Sequence, residues 1–96
     1  MKVRFLGPAE IEMLEAMAYY EIQVENLGEN FLDIIEAAVR EIAENPKTWP
    51  EIEQGIRRRL VRRFPYSIFY TIGENEIIIV AVMHQKQKPS YWIGRL

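Results

Sequence analysis

The segment Glu76–Met83 is apolar at nearly every position and rich in β-branched residues. Branched side chains favour extended backbone, and a strand without polar alternation has to be covered on both faces. A chain carrying such a segment must therefore place strands beside it and pack other elements on it. The run Ile77–Met83 falls far short of the ~20 apolar residues of a membrane helix, so no membrane association is expected. Gly73-Glu74-Asn75 just before it reads as a tight hairpin connection.

A covering layer is readable upstream. Phe31, Ile34, Ile35, Ala38, Val39 and Ile42 recur at the spacing of one helix face, with Glu29, Asp33, Glu36, Arg40, Glu41 and Glu44 between them. Asn45-Pro46 stops this helix. Residues from Ala9 to about Asn26 are helix formers throughout. Pro8 suits the first turn, and Leu27-Gly28 reads as the end, with Gly28 as a left-handed cap. The short link makes the two helices an antiparallel pair.

Lys2–Leu6 reads as a short strand with Val3 and Phe5 on one face. Pro46–Gln54 reads as a loop. Ile56–Phe64 and Ser67–Ile72 are strand-like, and Pro65, which has no ladder donor, belongs at the turn between them. The order is β-α-α-β-β-β. The expected fold is α+β: a helical hairpin on a mostly antiparallel four-stranded sheet, forming one domain over residues 1–96.

Charge is segregated. Residues 1–54 carry twelve acidic and four basic groups, net −8; residues 55–96 carry two acidic and eight basic groups, net +6. The near-neutral total of −2 hides a basic half able to meet nucleic acid or an acidic partner. The chain has no cysteine, which removes disulfide and thiol chemistry and fits a reducing compartment. Met1-Lys2-Val3-Arg4-Phe5 lacks the apolar region of a signal peptide. A cytoplasmic location is the expectation.

Three constellations carry possible chemistry. Arg57, Arg58, Arg59, Arg62 and Arg63 place five guanidinium groups within seven residues. On an uninterrupted strand Arg58 and Arg62 share a face with Ile56, Leu60 and Phe64, and Arg57, Arg59 and Arg63 share the other with Val61. Such a run can pair with the chain's own acidic helices, grip phosphate bidentately, or receive an acidic partner segment. The tail from His84 to Trp92 interleaves Lys86 and Lys88 with Tyr91 and Trp92, a pattern that suits stacking on bases or closing over the sheet. His84 is the lone histidine and follows the apolar strand directly, and imidazole is a side chain suited to acid–base work near neutrality. It is too little for a metal site, and no cofactor is implied. Glu10, Glu12, Glu15, Glu21 and Glu25 read as a solvated helix face.

Arg62-Arg63-Phe64-Pro65-Tyr66-Ser67-Ile68-Phe69-Tyr70, the apolar strand, and His84-Gln85-Lys86-Gln87-Lys88-Pro89-Ser90-Tyr91-Trp92 together resemble the RelE/ParE superfamily of bacterial type II toxins. The resemblance covers nearly the whole chain and has the same element order. Tyr19-Tyr20 is similar to a paired aromatic of the family's first helix, with a packing role, and Trp49-Pro50 to a structural loop. The family contains ribosome-dependent messenger RNA nucleases and gyrase poisons. The nucleases use arginines on the middle strand and past the last strand, where this chain has Ser67 and Lys86. Gln87 and Ser90 stand where arginine and glycine are common in ParE-like members.

The resemblance implies a toxin neutralised by a cognate antitoxin, most like the gyrase-directed members. Under that reading Arg57, Arg59, Arg62, Lys88 and Trp92 are candidates for contacting the target. The alternative is an mRNA endoribonuclease acting in the ribosome, with His84, Lys86, Tyr91 and Arg63 as catalytic candidates. A third reading is an inactive relative retained as a binding module. Whether the protein is an enzyme, and whether it forms a homodimer, stay open at this level.

Overall fold

The interior of the sheet is built by the two most apolar strands. In a computed structural model, which describes residues 1–87 and 94–96, the elements run β1 (Lys2–Phe5), α1 (Gly7–Gln23), α2 (Leu27–Glu44), β2 (Glu51–Glu53), β3 (Ile56–Leu60), β4 (Tyr66–Ile72) and β5 (Glu76–His84). The sheet order is β1-β5-β4-β3-β2. Only the β1–β5 pairing is parallel. The helical hairpin packs on one face, so the α+β reading holds, with five strands rather than four. The additional strand is β2, in the segment read as a loop. Its three residues, Glu-Ile-Glu, pair with β3 through a turn at Gly55 (φ 80°). A short, charged edge strand has almost no periodicity to detect, and it blunts the sheet edge against foreign pairing.

α2 carries the apolar stripe read from the sequence. Phe31, Ile35, Ala38, Val39 and Ile42 are buried against Ile68, Tyr70, Ile77 and Ile79 of the sheet. The Tyr70 hydroxyl, inside this core, donates to the Pro46 carbonyl at 2.6 Å, tying the end of α2 to β4.

The link between the helices differs from expectation. The left-handed residue is Asn26 (φ 70°), not Gly28. Gly28 lies in the first turn of α2, where a Cβ would sit 2.5 Å from the Met17 carbonyl oxygen and 2.9 Å from Glu21 Cβ. The glycine is there because α1 passes too close for a side chain. Glu21 then caps α2 from the neighbouring helix, accepting from the N–H of Asn26 at 2.9 Å and of Gly28 at 3.0 Å. A carboxylate on exposed donors at the positive end of a helix is favourable in hydrogen bonding and in charge.

β3 ends at Leu60, four residues short of the strand-like segment Ile56–Phe64. Val61 still donates to Tyr66 O at 3.0 Å, but Arg63 adopts a left-handed conformation (φ 70°) and the chain turns. Strict alternation therefore fails beyond Leu60. Phe64 joins Val61 in the helix-side core instead of sharing a face with Ile56. The β4–β5 ladder also shifts register between Phe69 and Tyr70. Ile77 and Ile79 face the helices, the extra residue is absorbed near Val80, and Val82 resumes the helix-facing set. Val80, Ala81 and Met83 join Phe69 and Ile56 in a second buried cluster on the opposite face. Without the bulge Met83 would face the helices; with it, His84 does.

Candidate functional site

The strand arginines do not act as one patch. Arg57 donates to the carbonyls of Trp49 (2.7 Å) and Lys47 (3.3 Å). Arg59 donates to Ala38 O at 3.1 Å, pairs with Glu41, and lies 4.4 Å over the Trp49 ring. Its side chain is only 15% exposed. These two guanidinium groups stitch β3 to the end of α2 and to the loop after it, which also gives Trp49 its structural role. Arg58 points to the opposite face, where it borders a depression of about 220 Å³ with Leu60, Ser67, Met83, His84 and Gln87. Arg62 sits on the helix side beside Ile34, Ala37 and Glu41. The guanidinium of Arg63 lies 5.7 Å from the Phe64 ring centre. Among the described residues, Arg58, Arg62, Arg63 and Lys86 form no ion pair.

His84 closes a chain of rings. Tyr20 meets Phe31, Phe64 and Tyr66, and Tyr66 meets the His84 imidazole edge-on at 5.3 Å. Nδ1 of His84 accepts the Lys86 backbone N–H at 3.1 Å, which leaves Nε2 to carry the proton of the neutral ring. Burial pushes the Tyr66 hydroxyl above its ordinary value of 10.0, and the neighbouring Tyr20 and Tyr19 add to the shift. Tyr66 is thus a neutral phenol at physiological pH, not a base. Tyr20 packs as expected, whereas Tyr19 is 58% exposed and does not. Lys88, Tyr91 and Trp92 lie outside the described residues, as does Ser90.

The acidic face of α1 is not uniformly solvated. Glu12 is 16% exposed and makes a bidentate pair with Arg95, at 3.0 and 2.8 Å. Its Oε1 also accepts the Val82 backbone N–H at 3.0 Å. Beside this pair runs an open groove of about 660 Å³, walled by Pro8, Ile11, Glu15 and Tyr19 of α1 and by Tyr66 and Gln87. Ile11, Leu14 and Ile22 add an exposed apolar stripe along the same helix. Nothing in the local sequence marks Glu12 apart from its acidic neighbours. Its partner is 83 residues away, so only the fold reveals the site.

Among the described residues no group of His, Asp and Glu side chains could hold a metal ion, and no helix is long and apolar enough to cross a membrane.

The likeness to known proteins agrees with this architecture. No curated protein is significantly similar in sequence. Among solved structures, one described as "Chromosomal ParDE TA system from P. aeruginosa" matches with a TM-score of 0.65. The match spans 88% of this chain and 95% of that one at 17% identity, a level at which it speaks to the fold alone. The family described as "ParE toxin of type II toxin-antitoxin system, parDE" matches residues 3–89. The buried helix stripe, the β3–β4 corner and the apolar last strand all fall within that match, and the chain belongs to the ParE toxin family.

Proposed function

We propose that this protein arrests growth by docking on DNA gyrase, without chemistry of its own, and that a cognate antitoxin binds and neutralises it in the cytoplasm. The observation that carries the reading is the family match over residues 3–89. The arrangement of the described candidates supports docking over cleavage. The His84 ring meets Tyr66, and although His84 also borders the depression shared with Arg58 and Ser67, the serine there offers no positive charge to a phosphate. Among the described residues His84 and Lys86 are joined through the Lys86 backbone N–H on His84 Nδ1, and no hydrogen bond or ion pair between side chains joins His84, Lys86 and Arg63. General acid–base catalysis needs its groups around one reacting atom. Docking needs only a complementary surface, and Arg62, Arg63 and Lys86, which form no ion pair among the described residues, provide cations on the exposed side of the β3–β4 corner and just past β5. Arg57 and Arg59 are engaged within the chain and contribute to that surface indirectly, by fixing β3.

The test is induction of the chain alone in a bacterial host, with DNA breaks and messenger RNA 5′ ends mapped within minutes. Gyrase-dependent breaks with intact messages support the proposal. New 5′ ends in translated frames overturn it in favour of a ribosome-dependent endoribonuclease. Intact messages, intact DNA and normal growth overturn both.

A further inference from the structure

β5 outruns its parallel partner. The last rung is Leu6 N–H to Ile79 O at 3.0 Å, and beyond it the strand continues to His84 with no strand on that side among the described residues. Unpaired strand edges are templates for foreign strands and are normally blunted. Here three side chains do so. Arg95 donates to Val80 O at 3.0 Å, Glu12 accepts from Val82 N–H at 3.0 Å, and Gln87 accepts from His84 N–H at 3.3 Å. Each takes the place of a backbone group of an absent strand. The same edge forms the floor of the groove beside Ile11, Glu15, Tyr19 and Tyr66.

We propose that Val80–His84 is a latent strand-pairing edge that receives an extended, cation-bearing segment of a partner protein, entering in place of Arg95 and Gln87. The chain's own contacts define the occupant. Arg95 is the cation among the described groove residues, against the carboxylates of Glu12 and Glu15. If Arg95 left without replacement, Glu12 would be stranded in a largely buried position, which is costly. The incoming segment therefore carries an arginine or lysine that takes over the Glu12 carboxylate. Its alternate side chains fill the groove against Ile11 and Tyr19, and its backbone supplies the rungs, the usual division of labour in strand addition. The inference rests on the toxin–antitoxin reading only in naming the partner, which under that reading is the antitoxin.

The probe is an end-blocked peptide of alternating valine and threonine with one central arginine. A second peptide with central glutamate serves as the comparator. Backbone amide exchange is followed by NMR in the wild-type protein and in Arg95→Gln. The arginine peptide is expected to slow exchange at Val82 and His84. It should bind Arg95→Gln about tenfold more tightly than wild type, the effect of removing one competing charged hydrogen bond. The glutamate peptide should bind neither. Should Arg95→Gln fail to fold, Gln87→Ala opens the His84 rung from an exposed position and should show the same gain. Equal affinity in wild type and in the folded variant, or no protection of Val82 and His84, would overturn the proposal. Neither result depends on toxicity, so a failure here leaves the gyrase reading standing, and the reverse.

Discussion

Gly28→Ala tests the geometry of the helical hairpin, on which the groove depends. The new Cβ would lie 2.5 Å from the Met17 carbonyl oxygen, whereas such contacts are rarely under 3.0 Å. The obstacle is backbone, with Glu21 Cβ at 2.9 Å beside it, so no flexible side chain can swing away. The helices must separate by about half an ångström, and overpacking of this kind costs ~1–3 kcal/mol. Alanine's better helix propensity returns up to about 1 kcal/mol in a helix interior, and less in the first turn where Gly28 sits. The net is a loss of about 1–2 kcal/mol, or roughly 10 °C in Tm for a domain of this size. Asn26→Gly is the control. Asn26 holds the left-handed conformation, which glycine adopts without strain, so stability should stay within about 0.5 kcal/mol. Thermal and urea unfolding followed by circular dichroism would measure both. An unchanged or raised Tm for Gly28→Ala would refute the argument, because it would mean that the helices are free to move apart.

Two further outcomes follow from the charges. Arg59→Lys should destabilise by about 1–3 kcal/mol, nearly as much as Arg59→Met, because an ammonium cannot reach Ala38 O, pair with Glu41 and stack on Trp49 together; full stability of the lysine variant in urea unfolding would show that the planar fork is irrelevant. The hydrogen bond from Arg4 is the main cause holding the Glu76 carboxyl below its ordinary value of 4.5; desolvation opposes it, and the Arg4 and Lys2 charges add to it. A folded-state value lower than the unfolded one means that this contribution is fully present above about pH 4.5 and is lost as pH falls through the folded value. Glu76→Gln should therefore flatten that part of the acid limb in urea midpoints measured from pH 7 to 2, and an identical slope would refute the assignment.

What was legible in the sequence followed periodicity. The α2 stripe and the unbroken apolar run of β5 are strong, local patterns, and each forces a buried face whatever surrounds it. The helical hairpin, the Gly73–Asn75 turn and the Pro65 corner were readable for the same reason: the physics that sets them acts within a few residues. β2 was missed because three residues hold no period. The face assignment of Arg62 and Phe64 failed because the strand ends at Leu60 and the left-handed Arg63 then turns the chain, ending the alternation that a reading at period two assumes.

The candidate site was less legible because its parts are brought together by contacts remote in the chain. By composition Arg57, Arg58 and Arg59 are equal; the fold consumes two in carbonyl, carboxylate and ring contacts and turns the third to the other face. Glu12 is one of several similar glutamates on α1 until β1 stops short of β5 and leaves an edge for it to close. Sequence alone carried the two helices, the four longer strands, the buried face of α2 and the resemblance to the family to which the chain belongs. Tertiary structure alone decided which charges are spent inside the chain, which side of the sheet His84 faces, and where a backbone edge is held shut by side chains. The physical reason is range: periodicity and turn chemistry act over a few residues, whereas the bulge, the β1–β5 length mismatch and the Glu12–Arg95 pair exist only once distant segments share one sheet.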